Sequence, residues 1–466
     1  MMGDKKLQKA IENFECGNYN AALKQLNTII KDDLHNEKAH YYLCLIYHHL
    51  KKWSRCKKCA FSFLKTFGKR GDILTLLGDV YLFEGNYRKA MKSYRSAVKY
   101  CSSSKEKEEL QEKIQKVQVL FDEKKSQPRL AVIVNEGGDN FTDELIEHLS
   151  ETYWIRKFII RSFKTSLLNT FLKAKTKGFL SDRFFQFATR VLGSELKKIM
   201  SWADVTWCEW ANALAAVCSY IKPRGKKLFI RLHRYEAFTD IPFVINWKNV
   251  DGLVFVSKFM EEILEMRGLK LDGVNWKVIY NGIDVGKFQF KPRQKGYNIA
   301  WVAHIIPRKN LFMALEIIRK LVNVDSNYKL HVAGDFPDPE YEIFIKNAIK
   351  NMQLEENVIL YGWVDDVNAF LEDKNYILST SLHEGHPYNL IEAMARGIKP
   401  VIYNFYNASE LFEEKFLFNT TDEAVQKILD DEYDSEYYRH YIEQKGWTLE
   451  HQAREFDGFI KELLDS

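Results

Sequence analysis

The chain has no charge-free apolar run approaching the ~18 residues that a membrane-spanning helix needs. Its first residues, MMGDKKLQKA, lack the apolar core of a secretion signal, so neither insertion nor export is expected. Its seven cysteines, an odd number scattered over 466 residues, do not make a secreted disulfide framework. Cys56 and Cys59 form a CxxC, but no second Cys or His pair accompanies them, so helix packing is expected there and not metal or redox chemistry. A net charge of +5 is small for this length and makes no case for nucleic acid. What is present, 46% hydrophobic and 28% charged residues, describes a soluble, cytoplasmic, globular chain with room for about three domains.

The first hundred residues repeat. Gly17, Lys51 and Gly85 stand 34 apart, as do Tyr19, Trp53 and Tyr87, and the small residues Ala22, Cys56 and Ala90. The third copy, 77-LGDVYLFEGNYRKAMKSYRSA-97, resembles the tetratricopeptide repeat. In such stacks small residues let paired helices approach, aromatics fill the wedge between hairpins, and glycine breaks the chain between helices. Lys51 departs from the pattern, so the turn of the second copy is expected to differ. The polar stretch 105–125 is expected to close the stack. Residues 1–125 would then offer a concave surface to a protein or peptide, or serve dimerisation or folding.

From residue 128 the texture changes. Short apolar runs at 130–134, 155–160, 204–208, 227–232 and 253–257 alternate with helix-like stretches, and a second such series runs through 298–303, 329–334, 358–364, 376–380 and 400–404. This predicts two doubly wound α/β sheets in tandem, with ligands bound in a cleft at the C-terminal ends of their strands.

Three segments stand where strands end. Gly137 and Gly138 are either a bare turn or a place where phosphate or sugar approaches the backbone. Arg308 and Lys309 precede an apolar helical stretch, and are either a solvated basic loop or, since cations there oppose the helix dipole, a place where an anion sits. The third, 381-SLHEGHPYNLIEAMARG-397, sets Glu384 and Glu392 eight residues apart. Pro387 should start a helix, with Glu384 in the loop before it and Glu392 about one turn inside. The first turn of that helix, at His386, Pro387, Tyr388 and Asn389, would place backbone N–H groups, Pro387 itself having none, between two carboxylates. A ligand suited to this has phosphate in the middle and vicinal hydroxyls at both ends, the layout of a nucleotide sugar.

The segment 384-EGHPYNLIEAMARG-397 resembles the E-x7-E motif of retaining glycosyltransferases of the GT-B fold, family 4 in particular. The runs 279-IYNGID-284, 301-WVAHIIPRKN-310 and 446-GWTLEHQAREFDGFIKELL-464 are similar to further parts of that family. The resemblance implies an α-solenoid of repeats at 1–125 and two Rossmann-like domains: an acceptor domain at 128–285 and a nucleotide-sugar domain at 286–445. A helix at 446–466 would return to the first of these. It also implies roles. Glu384 contacts the donor sugar, Glu392 the ribose hydroxyls, and Lys309 the diphosphate with Arg308 beside it. His233, in 230-IRLHRYEAF-238, lines the sugar and acceptor site, and Gly362, Trp363 and Val364 face the base. His304 stands where the family usually has arginine, which weakens the positive clamp.

The implied reaction is transfer from a nucleoside-diphosphate sugar, a UDP-sugar before a GDP-sugar, with retention at the anomeric carbon. No cofactor is implied. No Asp-x-Asp stands beside a cleft strand, and Lys and Arg would do the work of a cation, so no metal is expected. The repeats suggest a protein acceptor. Between 156 and 200, eleven Lys and Arg against two Asp and Glu, interleaved with Phe, Leu and Ile, could instead meet an anionic membrane and a lipid-linked acceptor at its inner face. A repeat-based interaction protein that only binds nucleotide sugar is the further alternative.

Overall fold

In the computed structural model, which describes residues 2–136, 142–160, 170–179 and 181–466, the chain forms two units. One comprises Met1–Ala174, Leu180–Glu209 and Tyr220–Leu228, the other Lys175–Phe179, Trp210–Ser219 and Phe229–Ser466. Gly137 and Gly138 lie outside the described residues.

The first unit opens with helices α1 (Met2–Glu15), α2 (Tyr19–Asp32), α3 (Glu37–His49), α4 (Trp53–Phe67), α5 (Gly71–Phe83), α6 (Tyr87–Val98) and α7 (Ser104–Lys124). The 34-residue period is visible in the backbone. Gly17, Lys51 and Gly85 all have positive φ, at 79°, 52° and 64°. Each is followed by the same closing bond across the helix end: Asn18 N–H to Asn13 O, Lys52 N–H to Tyr47 O, Asn86 N–H to Tyr81 O. The second turn therefore does not differ; Lys51 adopts the left-handed conformation that glycine takes in the other two. Gly78 has a different reason to be glycine, since a Cβ there would lie 2.2 Å from the Tyr94 ring. Tyr94 is buried, and its hydroxyl donates to Asp79 at 2.6 Å.

Strands β1 (Arg129–Asn135), β2 (Trp154–Ile160) and β3 (Val205–Cys208) follow, with β1 parallel to both others. The centre of β1, Leu130 to Val134, is apolar and buried, as a strand covered on both faces must be. The helices are fastened to this sheet at β2. Trp154 Nε1 donates to Gly85 O at 3.0 Å, and the Trp154 indole packs on Phe121 and Tyr87.

The remaining strands are β4 (Lys227–Leu232), β5 (Gly252–Phe255), β6 (Trp276–Val278), β7 (Asn298–Val302), β8 (Lys329–Ala333), β9 (Val358–Gly362), β10 (Tyr376–Ser379), β11 (Lys399–Tyr403) and β12 (Leu417–Phe418). Two six-stranded sheets result, ordered β2-β1-β3-β4-β5-β6 and β12-β11-β10-β7-β8-β9. The registered pairs are parallel. Strands β6 and β12 were not legible in sequence, being three and two residues long. In the second sheet, one core holds Leu311, Ala314, Leu315, Ile318 and Leu321 of the helix Leu311–Val324, and another holds Leu390, Ile391 and Met394. The final helix, Leu449–Asp465, packs Phe459 on Phe229 and on Gly252, where a Cβ would lie 2.6 Å from the ring. Among the described residues no helix is long and apolar enough to cross a membrane.

Candidate functional site

Strands β7 and β10 are neighbours, so the loops leaving their C-terminal ends run together. Trp301 Nε1 donates to Thr380 Oγ1 at 3.0 Å, and that hydroxyl donates to Lys309 O at 3.0 Å. Leu382 N–H reaches Arg308 O at 2.9 Å, and the Arg308 guanidinium reaches His383 O at 2.9 Å. These bonds set two side chains face to face. Lys309 Nζ donates to Glu384 Oε1, and Arg308 lies 3.8 Å from the other carboxylate oxygen. Only 9% of the Glu384 side chain and 15% of that of Lys309 are exposed, so this is a charge pair in a poorly hydrated place. Burial opposes the Glu384 charge, but Lys309, Ser381 and Arg308 hold the carboxyl below its usual range. Burial pulls the Lys309 ammonium down against the attraction of Glu384.

The helix after this loop spans Tyr388–Ala395, with Pro387 at its cap (φ −79°, ψ 110°), where sequence reasoning put its start. Leu390, Ile391, Ala393, Met394 and Ala395 face the core, while Glu392 and Tyr388, one turn apart, remain half-buried. The Asn389 side-chain amide donates to Val302 O at 2.8 Å, so it braces the helix against the end of β7. The His386 ring is turned inward. Asn281 N–H donates to its Nδ1 at 3.2 Å, Trp447 meets it edge-on at 4.5 Å, and burial lowers its pKa to about 3. That ring fastens the NG segment to the Glu384 loop.

The end of β4 supplies His233 and the short helix Arg234–Ala237. The His233 ring stacks on Trp210, centroids 4.1 Å apart and planes at 29°. Arg234 Nε donates to His383 Nδ1 at 3.0 Å. Burial, then the positive charge of Arg234, lowers His383 to about 4, so the acceptor nitrogen carries no proton. Glu410, from the helix Ala408–Leu411, accepts from the N–H groups of Lys258 and Phe259 at 2.7 and 3.1 Å and from the Tyr280 hydroxyl at 2.9 Å. It thereby caps the helix Phe259–Met266, where a carboxylate suits the dipole. Sequence reasoning missed Trp210, Arg234, His383 and Glu410. Arg234 and His383 both lay in segments already quoted, Arg234 as a second cation at a strand end and His383 next to Glu384.

His304 is not with Lys309 and Glu384 in its hydrogen bonding. Its Nδ1 lies 2.5 Å from Asp335 Oδ1, and its ring is 5.3 Å from that of Trp363. Trp363 is 61% exposed beside Gly362, whose φ of 69° turns the chain after β9 and whose carbonyl accepts from Gly334 N–H at 2.8 Å. Val364 packs against the core beneath. Histidine and indole there form an aromatic surface of the kind a base stacks on. Among the described residues no group of three or more His, Cys, Asp or Glu is placed to hold a metal ion.

Residues 284–446 match the family model of glycosyl transferases group 1. The chain is 27% identical over 117 residues to a poly(ribitol-phosphate) alpha-N-acetylglucosaminyltransferase of Staphylococcus aureus (strain COL), covering 25% of this chain and 23% of that protein. It is 23% identical over 168 residues to a UDP-Gal:alpha-D-GlcNAc-diphosphoundecaprenol alpha-1,3-galactosyltransferase of Escherichia coli, covering 32% and 42% respectively. The chain thus spans less than half the length of these curated relatives. Among solved structures, a glycosyltransferase from Rickettsia africae ESF-5 is similar with a TM-score of 0.56 at 17% identity, over 73% of this chain and 99% of that one. Anabaena Alr3699/HepE in complex with UDP-glucose gives 0.56 at 15%, over 72% and 99%. The likeness to these structures is one of fold, the two-sheet GT-B arrangement.

Proposed function

We propose that this chain is a retaining glycosyltransferase that takes its sugar from a nucleoside diphosphate, a UDP-sugar before a GDP-sugar, without a metal. The observation that carries the reading is the Lys309–Glu384 pair, set beside Arg308 and before the helix that holds Glu392. The match to glycosyl transferases group 1 covers these residues. The diphosphate docks on Lys309, Arg308 and the N-terminal end of the helix Tyr388–Ala395, where the helix dipole favours an anion. The ribose diol donates to Glu392, and the base lies toward Gly362, Trp363 and His304. Glu384 orients the sugar and offsets the positive charge that grows as the glycosidic bond breaks. Departing negative charge is the larger demand, and the cations answer it. The leaving phosphate takes the acceptor's proton, and His233, held by Trp210, lines the acceptor side.

In this reading 128–285 is the acceptor domain, 286–445 the donor domain, and 446–466 the returning helix. Residues 1–125 are a tetratricopeptide stack that recruits a protein acceptor. A cavity of about 540 Å³ there, lined by Arg70, Asp72, Tyr100, Glu106 and Lys113 among others, has the polar, two-signed walls that a peptide needs. A second reading is favoured by the names of the relatives, a polyol-phosphate and a diphosphoundecaprenol transferase. Its support in this chain is the basic stretch 156–200. Lys157 and Arg156 are already engaged there, by Asp143 and by Phe158 and Trp202. The helix Asp182–Leu192, by contrast, exposes Phe187, Arg190 and Val191 opposite the buried Phe185 and Thr189. An enzyme so built works from the cytoplasm at an anionic membrane face.

The donor is tested first: mass spectrometry of products from UDP- and GDP-sugars, with and without EDTA. Release of UDP and free sugar, unchanged by EDTA, is expected. Loss with EDTA and return with Mn²⁺ would end the metal-free reading. Acceptors follow. Charge reversal at Arg70 and Lys113 should abolish transfer to protein. Phe187→Asp should abolish transfer on vesicles if the acceptor is a lipid.

A further inference from the structure

Arg234 has no part in the reading above, yet it stands where the charge balance of the site is decided. Its guanidinium is aimed by two neighbours that also touch each other. Nε is held at 3.0 Å by the unprotonated Nδ1 of His383, the planar group lies 5.0 Å from the Phe238 ring centre, and Phe238 sets its edge on His383 at 4.7 Å. Gly385 makes room, because a Cβ there would lie 3.2 Å from Arg234 Cβ. Burial and repulsion by Arg308, against attraction by Glu384, bring Arg234 down to about 10. Lys309 and Arg308 contact Glu384 and Arg234 feels its charge, so three cations act on this one carboxylate, an excess of two positive charges over Glu384 itself. Like charges held together out of water are unfavourable unless an anion completes them. His304, the other basic side chain in the loop after β7, is engaged by Asp335.

We propose that Arg234 is a phosphate ligand of this site. With Lys309 and Arg308 it forms a three-cation cradle for the donor's diphosphate, and it supplies from the end of β4 the charge that His304 does not. The excess of two positive charges matches a diphosphate that keeps about two negative charges once esterified at both ends. A planar guanidinium fixed through Nε leaves its two terminal nitrogens to grip phosphate oxygens in pairs. Lys309 comes from one sheet and Arg234 from the other, so the diphosphate would be held from both. This rests on the nucleotide-sugar reading.

Titration calorimetry of the full chain with inorganic pyrophosphate and with UDP tests the cradle. Arg234→Ala should weaken both at least ~10-fold, the usual scale of a hydrogen-bonded charge contact. Glu392→Ala should weaken UDP alone, because pyrophosphate has no ribose. If Arg234→Ala does not keep the wild-type melting temperature, Arg234→Gln decides the matter; it retains a donor for His383 and removes the charge together with the two terminal nitrogens. Pyrophosphate and UDP bound within twofold of wild type by the folded variant would overturn the cradle, while a selective Glu392→Ala effect leaves the donor reading standing. Wild-type protein that binds neither would overturn both.

Discussion

Lys309 and Glu384 are 75 residues apart in the chain and joined by a hydrogen bond between a partly buried ammonium and a buried carboxylate, each carried on the loop that leaves one of two adjacent strands. Glu384→Gln keeps the volume and removes the charge. Donor turnover should fall about 100-fold or more, the range seen when a charge placed for a transition state is lost. Lys309→Met leaves the carboxylate buried without its main partner. It should cost about 3–5 kcal/mol in urea denaturation, since an uncompensated buried charge is left behind.

The depressed carboxyl of Glu384 makes a pH prediction. A group whose folded pKa lies below its unfolded one contributes stability above the ordinary carboxylate range, and that contribution is lost as pH falls through the folded value. The Glu384→Gln variant should therefore lose less stability than wild type on acidification below pH ~4.3.

His386 acts in a higher window. Burial, then the charge of Arg231, lowers it from 6.5 to about 3. The unfolded chain takes up a proton that the folded chain refuses, so stability is complete above 6.5 and declines from there toward 3. Melting temperature followed from pH 7 to pH 4.5 should fall in wild type, with a slope smaller by up to one proton in His386→Asn. Equal slopes would mean that the ring is not held neutral.

Glu392 is half-buried on the helix Tyr388–Ala395, so Glu392→Gln should leave the melting temperature within a degree or two of wild type. UDP affinity should weaken about 10-fold, while 2′,3′-dideoxy-UDP, which lacks the diol, should bind both forms alike.

Two turns of the helical stack give opposite results. Lys51 holds φ 52° with a side chain, and Lys51→Gly should stabilise by about 1 kcal/mol. Gly85 holds φ 64° with its backbone against β2, where a Cβ would lie 1.9 Å from Ile155 O. Gly85→Ala should destabilise by several-fold more, read as the difference in denaturation midpoint. It should also release Trp154, whose indole N–H is bonded to Gly85 O, with a red shift in fluorescence.

The Lys51 turn marks where sequence reading stopped short. A departure from glycine suggested a different turn, but the helix-closing bond from Lys52 N–H to Tyr47 O repeats its neighbours' geometry. The left-handed cost of one lysine is small beside the packing of the paired helices. His386 shows the reverse. Its place beside Glu384 suggested a donor contact, whereas Asn281 and Trp447, distant in sequence, turn the ring into the core. Arg234 lay in plain view in the strand-end segment, and nothing local said that His383 would aim it.

Sequence alone determined the elements and their order: apolar runs long enough to be buried strands, a 34-residue period, and a proline that starts a helix between two glutamates. These follow from periodicity and backbone restriction, which act over a few residues. Tertiary structure decided which charges meet. Lys309 and Arg308 meet Glu384 because the adjacent parallel strands β7 and β10 end together and their loops are tied by Thr380, and Arg234, from the end of β4 in the other sheet, is joined to that loop through His383. Electrostatic energy depends on distance in space and on depleted water, and neither is written in the order of residues.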